Sequence, residues 1–190
     1  MSKTRTFIAV EALDAVHASA LTAIDRLRGA AEGVRWIEPH NLHWTVQFLG
    51  DLDDREMAEV CLRTVRAAAR HEAFELAAYG VGAFPSIQRP RTIWLGAGEG
   101  AERFCALQAD IERSLESLGF RGENRQFTPH LTLGRTGRGS GAAAVLAERL
   151  AGLANFDGGV MGVDEAIVFA SELGRDGPEY SVLARAPLTD

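Results

Sequence analysis

The chain holds only two cysteines, Cys61 and Cys105, in 190 residues. Both fall in helix-like, apolar-periodic stretches, so they read as small buried residues and not as a disulfide or a reactive thiol. Two thiols without a framework fit a reducing compartment. No apolar run approaches the ~18 residues that a membrane-spanning helix needs. The opening MSKTRTFIAVEA has no long apolar core and no small-residue cleavage signal, so a cytoplasmic location is the expectation. Positive charge is not in excess: the net charge of −6 argues against a broadly basic nucleic-acid coat and leaves room for a local positive groove. There is no low-complexity segment and no short-period repeat. The rest is ordinary globular composition, 46% hydrophobic and 24% charged. The length suits a single domain over residues 1–190, with one lobe or two. A chain of this size buries roughly 70% of its unfolded surface and needs no staple.

Apolar patterning gives the elements. Thr6–Ala12 alternates as a strand, and Asp14 is placed to cap a helix carrying Leu21, Ile24 and Leu27. Gly29 and Gly33 end that helix, Val34–Ile37 is short and extended, and Leu42–Leu49 is a strand. Asp53 and Glu56 have capping-box spacing ahead of a helix whose buried face is Met57, Val60, Cys61, Val65 and Ala68. Phe74–Val81 and Thr92–Leu95 are strands, joined by a loop with Phe84, Arg89 and Arg91. A third helix carries Phe104, Leu107, Ile111, Leu115 and Leu118 on one stripe and stops at Gly119. His130–Leu133 is a strand, Thr136–Gly141 a flexible loop and Ala142–Leu150 a short helix. Val160–Ala170 and Tyr180–Ala186 make a closing hairpin through Gly174–Pro178. Helices and strands mix without strict βαβ alternation, which favours α+β with antiparallel sheets.

One pattern occurs twice. His43-Trp44-Thr45-Val46 and His130-Leu131-Thr132-Leu133 are both H-x-T followed by an aliphatic residue, 87 residues apart. In a strand, residues two apart share a face. Each copy therefore presents an imidazole and a hydroxyl on one side and packs its apolar residues on the other. With ten threonines in the chain, a given histidine has about a one-in-twenty chance of a threonine two residues on. Two such hits among five histidines occur by chance in only a few per cent of such chains, roughly. Structural histidines with satisfied hydrogen bonds are the bland alternative. The chemical reading is in-line attack on a phosphodiester, with one imidazole as base and the other as acid on opposite sides of phosphorus. The threonine hydroxyls would donate to the non-bridging oxygens. The scheme requires no metal and no cofactor, and two histidines are too few for a usual zinc site. His17 and His71 read as solvated helix-end residues and His40 as a surface turn residue.

The blocks around these motifs resemble the 2H phosphoesterase superfamily, and within it the bacterial and archaeal RNA 2′,3′-cyclic phosphodiesterases, also called 2′-5′ RNA ligases. RWIEPHNLHWTVQFLGD is similar to the first-motif block and FTPHLTLGR to the second. GAFPSIQRPRTIWLG and ELGRDGPEYSVLARAPL resemble the intervening segment and the C-terminal hairpin. The resemblance implies an α+β, bilobal fold: two pseudo-symmetric antiparallel sheets line a central groove, with helices packed outside. It implies metal-independent hydrolysis of RNA 2′,3′-cyclic phosphate ends to 2′-phosphomonoesters, with reversible 2′-5′ ligation in some members, by a monomer. It assigns His43 as proton donor, His130 as proton acceptor, and Thr45 and Thr132 as phosphate ligands. Arg135 is a further phosphate ligand, provided a bulge at Gly134 turns it to the histidine face. Gln47 stands where the family often has lysine, and alternation points it into the groove. His40 stands where an acid is common. Arg89, Arg91 and Arg138 would form a basic rim; Phe84 reads as core in preference to a base-stacking residue. Alternatives are small cyclic nucleotides, ADP-ribose cyclic phosphate or 2′-5′ oligonucleotides as substrates, and a non-catalytic RNA-end binding module.

Overall fold

The computed structural model of the chain describes residues 3–30, 33–120, 122, 126–137, 144–174 and 177–190. Nine strands are formed: β1 (Thr4–Glu11), β2 (Val34–Trp36), β3 (His43–Leu52), β4 (Phe74–Phe84), β5 (Thr92–Ala97), β6 (His130–Thr136), β7 (Asp157–Val163), β8 (Glu165–Leu173) and β9 (Pro178–Pro187). Among the described residues four α-helices accompany them: α1 (Asp14–Arg28), α2 (Asp54–Ala68), α3 (Ala101–Leu115) and α4 (Ala144–Gly152). The strands run β7-β4-β5-β6-β3-β1-β8-β9, with β2 added beside β6. All the registered pairings between these strands are antiparallel. The fold is α+β, with an antiparallel sheet curled into a half-barrel.

Pairing divides this sheet into halves. β3, β1, β8 and β9 make one lobe, and β6, β5, β4 and β7 the other. Between them, β3 and β6 pair through a single couple, Trp44 with Leu131. A second link runs lengthwise. β7 pairs with β4 in one lobe and β8 with β1 in the other, yet Asp164 alone separates them in sequence. The apolar run Val160–Ala170 is thus not one hairpin strand: it breaks at Asp164 and serves both lobes. The hairpin proper is β8 with β9, paired from Glu165–Pro187 to Leu173–Pro178.

β1 shows how the two faces are filled. Ile8 and Val10 enter the main core, while Phe7 and Ala9 join Ile167 and Phe169 in a separate cluster, with Tyr180 packed against it. The main core lies between the sheet and the helices. It takes Val16, Ala20, Ala23, Ile24 and Leu27 from α1 and Phe104, Leu107, Ile111 and Leu115 from α3. α2 packs on α3, β8 and β9, and α1 on β7. Its start has the capping box: Asp53 Oδ1 accepts from Glu56 N, and Glu56 Oε2 accepts from Asp53 N, both at 2.9 Å. Asp14, in contrast, does not cap α1. It is the helix's first residue, with φ of 49°; Leu13 holds the N-cap position and gives no side-chain bond. Cys61 and Cys105 are free and partly buried, and desolvation raises both thiols. The helix around Ala142 is described from Ala144 onward, and residues 138–141 of the glycine-rich loop lie outside the described residues.

Trp44 is fully buried at the lobe junction, its ring 6.3 Å from that of Phe104. Trp44→Ala should therefore lower unfolding stability by about 3–5 kcal/mol, measured by urea denaturation. A loss under about 1 kcal/mol would mean that this junction is not a packed core.

Candidate active site

The two motifs converge because of one pairing. Trp44 and Leu131 are opposite each other and both are fully buried. Opposite residues in an antiparallel pair share a face. The neighbours on each strand, His43, Thr45, His130 and Thr132, therefore all take the other face, and all four are half-buried. The antiparallel sense sets each histidine across from the other strand's threonine, so the histidines lie on a diagonal. Ideal sheet spacings put their Cα atoms roughly 8 Å apart. Four polar side chains thus bracket a space suited to one phosphoryl group.

Both imidazoles are held in the same way. His43 Nδ1 lies 2.7 Å from the Asn41 carbonyl, and His130 Nδ1 lies 2.7 Å from the Thr128 carbonyl. A carbonyl only accepts, so Nδ1 carries the proton in each ring and Nε2 is left to exchange one. Asn41 is itself buried and fixed from β9, its Nδ2 donating to the Pro178 carbonyl at 2.8 Å.

Each motif strand then carries a bulge at the same point. β1 pairs Ile8 with Gln47 and Ala9 with Thr45, leaving Val46 extra. β5 pairs Ile93 with Gly134 and Trp94 with Thr132, leaving Leu133 extra. One extra residue reverses the alternation beyond it. Arg135 consequently returns to the histidine face, and its positive charge acts on both His43 and Tyr180. The same device overturns the expectation for Gln47. It turns inward, 8% exposed, with neither amide atom finding a partner, and Phe48 comes out instead, 58% exposed.

The two flanks differ. His43 sits against Phe7, with centroids 5.0 Å apart, and meets the Tyr180 ring edge-on at 5.6 Å. His130 meets Phe84 edge-on at 5.1 Å, with Trp94 6.5 Å away. Phe84 is thus no core residue: it is 36% exposed at the groove edge. Burial lowers the His43 pKa, the Asn41 carbonyl opposes that, and the charges of Arg135 and His130 lower it further. Desolvation raises the Tyr180 phenol, against the pull of Arg135 and Arg5. Among the described residues, no three His, Cys, Asp or Glu side chains gather in a way that could hold a metal ion.

The other candidates lie off the motif strands. Arg89 and Arg91 are exposed in the β4–β5 loop, and His40 is exposed in a 3-10 turn; Arg138 lies outside the described residues. His17 Nε2 is 3.0 Å from the Pro39 carbonyl. His71 is not a free solvated residue, since its Nε2 lies 3.1 Å from Asp110 Oδ2. Phe7, Phe48, Trp94 and Tyr180 are groove residues that period-two reading does not reveal, because cross-strand register places them.

Residues 15–165 match the 2′-5′ RNA ligase superfamily. The chain is 36% identical to the RNA 2′,3′-cyclic phosphodiesterase of Methanothermobacter thermautotrophicus, over 94% of this chain and 96% of that protein. It is 30% identical to the same-named protein of Thermotoga maritima, over 94% and 92% of the two chains. Among solved structures it is similar to TT0787 of Thermus thermophilus, with a TM-score of 0.78, 27% identity, and coverage of 96% and 97%. It also has the fold of E. coli LigT, solved with 3′-AMP, at a TM-score of 0.76 and 24% identity over 99% of both chains. The chain belongs to the 2′-5′ RNA ligase superfamily.

In an NMR pH titration of the free protein, the His43 midpoint should lie below the ordinary histidine value of about 6.5. Arg135→Gln should raise it by removing a neighbouring charge, and inorganic phosphate should raise it by adding an opposite one. The folded state binds this proton less readily than the unfolded chain. His43 therefore contributes stability above about pH 6.5 that is lost as pH falls through its folded midpoint. An unmoved midpoint in Arg135→Gln would place the guanidinium elsewhere.

Proposed function

We propose that this chain is an RNA 2′,3′-cyclic phosphodiesterase that opens the cyclic phosphate at an RNA end to a 2′-phosphomonoester. The observation that carries this reading is the diagonal histidine pair on the groove face, each ring holding its Nδ1 proton against a backbone carbonyl so that Nε2 is the nitrogen that exchanges one. His130 Nε2 accepts the proton of an attacking water as its oxygen bonds to phosphorus. The P–O3′ bond breaks on the opposite side, and His43 Nε2 delivers a proton to the departing 3′ oxygen. Thr45 and Thr132 donate to the non-bridging oxygens, and Arg135 neutralises the charge that builds there. The free site disfavours a charged His43. The bound phosphodiester anion supplies the opposite charge that brings its proton on.

The site draws both motifs from one chain, which fits a monomer, and two free thiols fit a cytoplasmic setting. No helix among the described residues is long and apolar enough to cross a membrane. The net charge of −6 favours the second reading, a small cyclic nucleotide as substrate.

His43→Ala and His130→Ala should each lower turnover of a cyclic-phosphate-ended RNA by about 10²–10⁴-fold while the folded circular-dichroism spectrum persists. On a phosphodiester with a nitrophenolate leaving group, which needs no protonation, His43→Ala should recover most of its loss and His130→Ala should not. Full activity of either variant on the cyclic end rejects the acid–base assignment. Phosphate on the 3′ oxygen of the product rejects the direction of opening. Equal rates on a mononucleotide favour the small-nucleotide reading, and tight binding without product makes the chain a binding module.

A further inference from the structure

We propose that Arg35 and Arg135 together form a second phosphate subsite, which takes the phosphodiester immediately preceding the cyclic phosphate in an RNA strand. This rests on the enzyme reading above and specifies its substrate as an oligonucleotide end.

The placement follows from register. β2 is three residues long and pairs with β6, Arg35 directly opposite Arg135. Directly opposite residues share a face, and Arg135 faces His43 and Tyr180 across the groove. The neighbours of Arg35 point the other way. Gly134 leaves room for them: a Cβ there would come within 2.8 Å of the Trp36 ring and 2.9 Å of Val34. This fit locks the register of β2 and with it the position of Arg35.

Two like charges directly opposite in a sheet repel, and among the described residues no carboxylate pairs with either. Both residues are exposed, and among the described residues neither forms an ion pair; Arg135 reaches only Thr92 Oγ1, at 3.5 Å. Several other arginines are matched, as in Arg63–Glu59, Arg70–Asp110 and Arg185–Glu165. Acids outnumber bases by 26 to 20 in the chain, so the lack of a partner here is not a shortage of carboxylates. Guanidinium groups donate in a planar fork that fits phosphate oxygens, and an anion between two of them turns repulsion into attraction. β2 and β3 line the same edge of β6, so Arg35 lies one strand spacing, about 5 Å, from Arg135 on the His43 side. Arg135 thus borders the reacting phosphoryl on one side and, together with Arg35, the next phosphate along the strand on the other.

The test compares a nucleoside 2′,3′-cyclic phosphate, with one phosphate, and a dinucleotide carrying the same end, with two. Arg35→Gln should lower kcat/KM on the dinucleotide by about ten-fold and on the mononucleotide far less, the scale of one lost charge-assisted contact. The slope of log kcat/KM against log salt for the dinucleotide should fall by about 0.7. Arg35→Lys should restore most of the slope but only part of the rate. The unliganded variant Arg35→Gln should melt slightly higher than wild type, since a repulsion is gone; a merely structural arginine would melt lower. Equal losses on the two substrates, or no loss on either, would overturn the subsite while leaving the enzyme reading intact. Wild type that turns over neither substrate would sink the enzyme reading and the subsite with it.

Discussion

Trp44 and Leu131 meet at the one couple that joins β3 to β6, and both are shut away from water. Burying these two side chains decides where the polar ones go. A strand cannot send Trp44 into the core without sending His43 and Thr45 out the other side, and the same holds for Leu131 with His130 and Thr132. The site is thus a consequence of core packing at the lobe junction. The antiparallel sense adds the diagonal, which in-line chemistry needs, since two imidazoles side by side would reach phosphorus from one flank. The narrowness of the junction matters too. The two lobes share that single couple, and the four polar side chains around it line the groove.

The duplicated scaffold carries unequal surroundings. The bulges at Val46 and Leu133 fall at the same point of each motif, and they bring Phe48 and Arg135 to the groove at matching positions. Both histidines meet rings, Phe7 and Tyr180 at His43 and Phe84 and Trp94 at His130, and β6 adds a guanidinium, Arg135, beyond His130. Identical carbonyl contacts fix the two imidazoles, so these outer residues are what distinguishes their surroundings. Apolar rings on the His43 side raise the cost of a positive charge there. The cation from the opposite strand adds to that cost until an anion lies between them.

Period-two patterning and a repeated tetrad are enough to read the fold class, the two motif strands and the shared face of each motif's histidine and threonine. The Asp53–Glu56 box was legible because capping is local, four residues acting on one another. Bulges are different. Val46 and Leu133 are ordinary strand residues, and only the pairing of each strand with its neighbour makes them extra. Gly134 points to a bulge in β6, which falls instead at Leu133 and turns Arg135 to the histidine face; β3 offers no glycine near Val46, and alternation alone puts Gln47 on the face opposite to the one it takes. The break at Asp164 was hidden for a related reason: the apolar pattern runs on through it while the strand changes partners. Tyr180 and Arg35 reach the groove through contacts with residues far away in sequence, and no local periodicity encodes those.

A near-symmetric pair of histidines has no intrinsic preference for which of its members gives the proton and which takes it. Direction has to come from whatever orients the substrate. In a 2′,3′-cyclic phosphate the departing oxygen and the ribose belong to the same nucleoside, so the sugar lies on the flank of the acid and water on the flank of the base. The rings beside His43 suit the former, since they exclude solvent from one side of the groove. The cationic stretch on β6 and β2 then fixes which way the rest of the strand runs, because only a chain with a further phosphate gains from Arg35. On this reading the symmetric parts, histidine and threonine twice over, perform the chemistry. The asymmetric parts, delivered by two bulges and a three-residue strand, tell the substrate which way round to lie.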